Sequence, residues 1–253
     1  EHLGDPDYYD VPVEWLISKE YGKELAATID MRVARKSTDV AAGVAPHPES
    51  PDTTHFSVID ADGNVVATTT TLNFSFGSAI SVTGAGFLLN NEMDDFVSKP
   101  GVPNAYGLLG GEANAIAAGK RPLSSMTPTI VLADGQPWFA TGSPGGSRII
   151  LYVAKAIVGM VDWRLHPQKA TAIANFGHRG RAFELEYDPS LATDTLLAPW
   201  STVPSVWRGI RLRALGYRVA PELMTSGLHI VERFDGVLRG GADPRREGIA
   251  LGQ

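Results

Sequence analysis

Residues 53–55 read Thr-Thr-His, directly after a proline-rich stretch at 46–52 and at the start of a hairpin pattern. If the bond after Asp52 is cut, Thr53 carries a hydroxyl nucleophile and a free α-amine that titrates near neutrality. One residue then supplies both nucleophile and base. The alternative is an ordinary strand start, for which threonine is equally suited. Four further segments hold groups with possible chemistry. Leu88-Leu89-Asn90-Asn91-Glu92-Met93-Asp94-Asp95-Phe96 follows an apolar strand-like run and places two amides and three acids within six positions. Such a cluster suits a substrate ammonium, a hard cation or a solvated strand end, and it lacks the EF-hand spacing. Gly142-Ser143-Pro144-Gly145-Gly146-Ser147-Arg148 leads into an apolar run at 149–161. Exposed backbone N–H groups at such a helix start favour an anion or a developing oxyanion, or else the glycines simply permit a tight turn. The segment has neither the Gly-Lys-Ser/Thr of a P-loop nor the first glycine of a nucleophile elbow, because Thr141 stands there. Ser124 and Ser125, within 121–128, offer two adjacent hydroxyls for a carboxylate or for shaping a turn. Residues 100–111 hold four glycines, two prolines and Tyr106, a composition suited to a lid.

These residues need elements to hold them. Residues 12–29 read as one helix, with Pro12 in the first turn and Trp15, Leu16, Leu25 and Ile29 as its apolar members. The stretch 37–52, with three prolines and one glycine, is the one internal boundary. Residues 53–60 and 65–73 suit strands joined through Ala61-Asp62-Gly63. A three-residue loop with Gly63 left-handed pairs Asp60 with Asn64, sets Thr53 opposite Thr71, and gathers Thr53, Thr71 and Asn73 on one face. A two-residue loop turns Thr71 and Asn73 to the other face. The device recurs at Ala133-Asp134-Gly135, between 128–132 and 137–142, and at Asp235-Gly236, between 228–234 and 237–240. Together these hairpins predict a mostly antiparallel sheet system, and 149–161 predicts a buried helix.

The chain has 253 residues, 43% hydrophobic, enough for one large α/β or α+β domain with a buried core. It has no cysteine, which excludes a disulfide scaffold and a thiolate metal site. A net charge of -6 without a basic run argues against nucleic acid or an anionic membrane as the main partner. The apolar run at 149–161 is interrupted by Lys155 and is too short to span a bilayer. The opening Glu1-His2-Leu3-Gly4-Asp5-Pro6 has neither a basic nor an apolar region of an export signal, so any signal is expected upstream.

The chain resembles the γ-glutamyltranspeptidases, N-terminal-nucleophile hydrolases that cut themselves into a large and a small subunit. The resemblance rests on Pro51-Asp52-Thr53-Thr54-His55-Phe56-Ser57, on Thr71-Leu72-Asn73, and on the blocks at 88–96, 99–111, 120–128 and 141–148. These stand in the family's order with family-like spacing. It is looser beyond Trp163, where Asn175-Phe176-Gly177-His178 and Gly241-Ala242-Asp243-Pro244-Arg245 carry it. The resemblance implies an α+β fold of the αββα sandwich type, with antiparallel sheets between helical layers. It implies that residues 1–52 are the tail of a large subunit and 53–253 a whole small subunit, separated by autocatalytic cleavage between Asp52 and Thr53.

By the same resemblance, Thr53 is the nucleophile and Thr71 holds its hydroxyl. Asn73, Glu92 and Asp95 hold the substrate's α-amino group, Ser124 and Ser125 its α-carboxylate. Gly145 and Gly146 supply the oxyanion hole, and Tyr106 gates the lid. Glutathione or another γ-glutamyl compound is the implied substrate, and water or an amino acid or peptide is the implied acceptor. No cofactor or metal is implied, and the compartment is periplasmic or extracellular. The family also clamps the α-carboxylate with an arginine from the large subunit, so a missing upstream partner segment is expected. Two alternatives stand beside this reading. One is a cephalosporin-acylase-type amidase acting on a glutaryl group, which has no ammonium for Asp95 to hold. The other is a non-catalytic remnant that packs against a large subunit.

Overall fold

The computed structural model describes residues 3–35, 53–97, 99, 101–102, 110–179, 182–187 and 203–252, with 203–206 as backbone alone. The whole 37–52 stretch, with Asp52, and most of 100–111, with Tyr106, lie outside the described residues. Two helices, α1 (Val13–Leu16) and α2 (Lys19–Ala27), replace the single helix expected over 12–29. The cause is Ser18, which is extended and accepts the Tyr21 N–H at 3.0 Å, starting a new helix instead of continuing the old one. Trp15 and Tyr21 pack across the break with ring centroids 4.0 Å apart.

Three sheets follow. The first is a hairpin of β1 (Thr54–Ile59) and β2 (Val65–Thr70). The second is an antiparallel sheet in the order β3–β4–β8–β9, from Thr129–Ala133, Gln136–Gly142, His229–Phe234 and Val237–Ala242. The third contains β5 (Phe176–His178), β6 (Phe183–Glu186) and β7 (Val219–Glu222), with β5 antiparallel and β7 parallel to β6. Three further α-helices are described: α3 (Ile149–Val161), α4 (Pro167–Ala172) and α5 (Val203–Ala214). The expected buried helix at 149–161 is α3, with the same bounds.

The first hairpin has the three-residue register. Asp60 N–H donates to the Asn64 carbonyl at 3.1 Å, Thr54 pairs with Thr70, and Gly63 has φ 86°. The β3–β4 loop differs from the expected three residues. Ala133 pairs with Gln136, leaving Asp134 and Gly135 as a two-residue turn with φ 51° and 76°, and a bulge between Val131 and Leu132 absorbs the change of register. The strand-like run before Leu88 is not a strand. It is a loop tied by a single bridge between Ser81 and Leu88.

Alternation along β4 decides how the layers stack. Phe139 faces the core with Ile149, Tyr152, Val153 and Ala156 of α3, whereas Gly142, three residues on, faces His55 of β1. Helices α3 and α4 therefore cover one face of the four-stranded sheet and the β1–β2 hairpin the other, the α–β–β order of an αββα sandwich. Phe139, Tyr152 and Ile149 are 0–1% exposed. Burial of side chains this large stabilises the fold by about 1.5–3 kcal/mol each. On the outer side of the hairpin, Phe56, Val58 and Val66 are exposed.

Candidate active site

Thr53 is 7% exposed at the start of β1, where the hairpin register sets it against Thr71. Their hydroxyl oxygens are 3.1 Å apart. The chain leaves β2 immediately afterwards: Asn73 takes φ 73°, and its N–H donates to Thr71 Oγ1 at 3.0 Å. Asparagine tolerates this left-handed conformation better than most residues. Asn73 Nδ2 then donates to the Asn91 carbonyl at 3.2 Å, and Asn91 Oδ1 accepts the Phe74 N–H at 3.0 Å. Asn91 N–H also donates to the Leu72 carbonyl at 3.1 Å. Asn91 thus fastens the acidic segment beside Thr71. In the sequence Asn91 stands inside the acidic motif with no role of its own, and an amide beside the acids is its one signal.

The acids occupy a 3-10 turn, Glu92–Asp95. Three residues per turn bring positions 92 and 95 onto the same face, so both carboxyls point into one cavity. Burial pushes the Asp95 carboxyl up to about 7, reinforced by the charge of Glu92 and by the hydrogen bond between the two side chains. Burial also raises Glu92, while its hydrogen bond to Asp95 works the other way. The pair carries a shared proton near neutrality, a site prepared for a cation.

The cavity, of about 290 Å³, is also lined by Thr53, Thr71, Asn73, Ser124, Ser125 and Gly146. The two serines differ. Ser124 Oγ accepts the Met126 N–H at 3.1 Å, leaving its proton available for a carboxylate. Ser125 Oγ donates to the Gly146 carbonyl at 3.0 Å, so its proton has to leave that bond before it can serve a ligand. Gly145 does not line the cavity. Its φ of 134° and the ring of Tyr152, 2.5 Å from where a Cβ would stand, both require glycine. Gly146 follows with φ 52°, and Arg148 N–H closes the turn on the Gly145 carbonyl at 3.0 Å.

Behind Thr53, His55 is 2% exposed, with Nδ1 2.8 Å from Thr69 Oγ1 and Nε2 2.9 Å from Ser57 Oγ. Burial, then the charge of His229, lowers its pKa to about 4, so the ring is neutral at pH 7. His229 Nδ1 donates to the His55 carbonyl at 2.7 Å, tying β8 to β1. Ser143 Oγ bonds the Pro144 carbonyl at 2.7 Å and accepts the Gly227 N–H at 3.1 Å, which ties the glycine turn to the segment before β8. His55 and Ser143 had no assigned function in the sequence, although both lie inside the motifs.

Among the described residues, no group of three or more His, Cys, Asp or Glu is placed to hold a metal ion, and no helix is long and apolar enough to cross a membrane.

Comparison with known proteins gives the family and the fold. A family model described as Gamma-glutamyltranspeptidase matches residues 1–253. The chain is 46% identical over 246 residues to a glutathione hydrolase proenzyme of Escherichia coli strain K12, covering 97% of this chain and 40% of that protein. It is 39% identical over 182 residues to an acylase ACY 1 proenzyme of Pseudomonas sp. strain SE83, covering 72% of this chain and 30% of that one. The structure of a gamma-glutamyltranspeptidase from Pseudomonas nitroreducens complexed with L-DON superposes with a TM-score of 0.68 at 39% identity, over 79% of this chain and 99% of that chain. The chain therefore spans less than half the length of the curated relatives it matches. With the family model matched from end to end, this chain belongs to the gamma-glutamyltranspeptidase family.

Proposed function

We propose that the chain is the catalytic part of a γ-glutamyl hydrolase or transpeptidase that matures by cleavage between Asp52 and Thr53. The observation that carries this reading is the convergence of Thr53 and Thr71, the Glu92–Asp95 pair and Ser124–Ser125 on one cavity. In maturation, Thr53 Oγ1 attacks the Asp52 carbonyl and the peptide nitrogen becomes the free α-amine, leaving an ester that water hydrolyses. In turnover, the α-amine takes the hydroxyl proton as Oγ1 attacks the γ-carbonyl of the substrate. The proton passes to the departing amine, and a γ-glutamyl ester remains on Thr53. Water or the amine of an acceptor then attacks that ester and regenerates the hydroxyl. On family grounds the oxyanion is assigned to the backbone N–H groups of the Gly145–Gly146 turn, of which Gly146 lines the cavity and Gly145 stands behind it, each such donor contributing about 3 kcal/mol to the transition state. The substrate ammonium binds the Asp95–Glu92 pair and Asn73, and its carboxylate binds Ser124 and Ser125. Tyr106 gates the lid.

Residues 1–52 are then the tail of a large subunit and 53–253 the small subunit. Residues 53–253 make up 79% of the chain, the same share that the P. nitroreducens structure covers. The upstream remainder of the large subunit supplies the arginine for the α-carboxylate, and glutathione is the implied natural substrate. The relatives named proenzyme support maturation by cleavage. The compartment is periplasmic or extracellular, on family grounds.

A glutaryl amidase is the second reading, favoured by the acylase relative. A glutaryl group carries no ammonium, and a buried pair of acids has no use for it. The test is intact-mass analysis of the full-length protein together with kinetics on γ-glutamyl and glutaryl anilides. We expect two fragments divided at Asp52–Thr53 and a preference for the γ-glutamyl anilide. An uncleaved chain sinks the nucleophile assignment, and a preference for glutaryl reverses the choice of substrate.

A further inference from the structure

Residues 120–128, which carry Ser124 and Ser125, belong to no helix or strand, so side chains fix where the two hydroxyls stand. Ser125 is held by its bond to the Gly146 carbonyl at 3.0 Å, and Leu123 N–H donates to Asn114 Oδ1 at 3.1 Å. The near end of the loop is held from much farther away in the chain. Asp5 Oδ2 accepts the Arg121 backbone N–H at 2.9 Å and Nε at 3.0 Å, and Asp5 Oδ1 accepts Nη2 at 2.6 Å. One carboxylate thus takes both the guanidinium fork and the main chain of residue 121.

The segment around Asp5 is itself seated firmly. Gly4 lies so close to Ala113 that a Cβ would stand 2.1 Å from its carbonyl oxygen, and the Asp5 carbonyl accepts the N–H groups of Tyr8 and Tyr9 at 3.0 Å. Leu3 lines the cavity. The Asp5 side chain is 1% exposed and that of Arg121 67%, so the carboxylate is the buried half of the pair and the arginine keeps most of its surface in water. Arg121 Nη2 also meets Asp7 Oδ2 at 2.6 Å, but that side chain is 72% exposed, where an ion pair contributes little.

Resting on the reading of this cavity as the γ-glutamyl site and on cleavage at Asp52–Thr53, we propose that Asp5 is a positioning residue which, through Arg121, holds the Ser124–Ser125 loop in place for the substrate's α-carboxylate. After cleavage Asp5 and Arg121 lie in different subunits, so the start of the tail remains part of the site. Without Asp5, the next tie in the loop is at Leu123, and the Ser124 hydroxyl loses its fixed place. The acids of the 3-10 turn are fastened separately, by Asn91, so the effect falls on the carboxylate end of the substrate.

The test uses the full-length protein with its upstream region and three anilides. L-γ-Glutamyl anilide is the substrate. Glutaryl anilide, which keeps the carboxylate and lacks the ammonium, and 4-aminobutanoyl anilide, which keeps the ammonium and lacks the carboxylate, are read as inhibition constants against it, so neither needs turnover. Asp5→Asn removes the charge at nearly the same volume, and Arg121→Lys keeps a charge but breaks the fork. In Asp5→Asn we expect KM for the substrate and the glutaryl inhibition constant to rise about tenfold with kcat within about threefold, while the 4-aminobutanoyl constant changes less than about threefold. Arg121→Lys raises the first two about threefold, and the double variant stays near tenfold because both changes break one link. Asp7→Asn, the exposed neighbour, changes each value less than about twofold. A loss shared equally by all three compounds overturns the proposal, because general loosening does not choose between the two ends of the substrate. A double variant about thirtyfold worse than wild type overturns it too, since the residues then act independently. So do unchanged kinetics, an Asp7→Asn effect equal to that of Asp5→Asn, and failure of both single variants to mature, which makes the pair a folding contact. Wild-type protein that matures but leaves the L-γ-glutamyl anilide intact overturns the reading of the cavity, and wild-type protein that stays uncut overturns the cleavage reading. Both are seen before any variant is made.

Discussion

The charged groups around Arg245 and those around Asp95 are both withdrawn from water, yet only the first set is answered by partners. Arg245 donates to Glu186 from Nε and, at 2.7 Å, from Nη2, and to Asp243 from Nη1 at 2.9 Å. Asp243 Oδ2 accepts from Ser226 Oγ at 2.6 Å and from Leu228 N–H at 3.2 Å. Asn175 bonds Glu186 through its N–H at 2.7 Å and Ser226 through Nδ2 at 2.8 Å. Lys155 donates to the Ile173 carbonyl and to Asn175 Oδ1 at 2.7 and 2.6 Å. At Asp95, two carboxyls face each other, and among the described residues no cation lies against them. A closed network of this kind spends its charges on holding α3, β6 and the end of β9 together. An acid pair left uncompensated costs stability until a ligand brings the missing charge, and that is the ground on which we propose recognition there.

The contrast fails or sharpens by experiment. Thr53→Ala removes the nucleophile, so both cleavage at Asp52–Thr53 and γ-glutamyl turnover fall by at least about 10³-fold. Thr53→Ser retains part of each, and the melting temperature stays near wild type in both. Retained turnover in the Ala variant, read by mass and anilide release, ends the assignment. Arg245→Leu has the opposite profile. It strands Glu186 and Asp243 in the interior and lowers unfolding free energy by about 3–5 kcal/mol in urea titrations. An unchanged denaturation midpoint breaks the idea that this network is structural.

Asp95→Asn raises KM for a γ-glutamyl anilide about 30- to 100-fold but changes glutaryl turnover little, since only the first carries an ammonium. The same variant is more stable than wild type at pH 8, because it removes a carboxylate that the fold disfavours. Equal losses on both substrates take Asp95 out of recognition.

Stability against pH gives the smallest effects, with slopes of opposite sign. Asp95 has a folded pKa of about 7, above its ordinary 3.8, so the folded state holds a proton that the unfolded chain releases between these values. Stability therefore falls as pH rises from about 4 to about 7, by on the order of 1–2 kcal/mol after allowing for solvent screening. Lys155 is pushed down to about 7 from 10.5, by burial first and then by the charge of Arg245. Here the unfolded chain binds the extra proton, and stability rises from about pH 7 towards pH 10. Denaturant midpoints across pH should show the fall vanish in Asp95→Asn and the rise vanish in Lys155→Met. A wild-type profile flat across both windows contradicts the two assignments together.

Local patterns were legible where one residue decides a conformation. Gly63 and its loop length set the hairpin register, and with it the Thr53–Thr71 pair. The apolar run after Arg148 set α3. Where two signals compete, pattern reading went astray. Ser18 is a good cap as well as a tolerable helix residue, so the break between α1 and α2 was missed. The bulge that shortens the β3–β4 loop has no composition of its own. In the site, the residues with chemistry were visible because their types are unusual together. Their supports were not, since Asn91 and Ser143 act through contacts 17 and 84 positions away in the chain.

The close approach at Gly142 has a mechanical consequence. A Cβ there would stand 2.2 Å from the His55 ring, so the imidazole fills a slot that exists only because position 142 has no side chain. The ring works as a key in a keyway. Sliding the hairpin along the sheet would carry the ring out of this slot, so the sheet as well as the turn resists the slip that would carry Thr53 to the wrong face. The reactive end of β1 is thereby indexed from outside the hairpin, by a glycine whose own chemistry is nil.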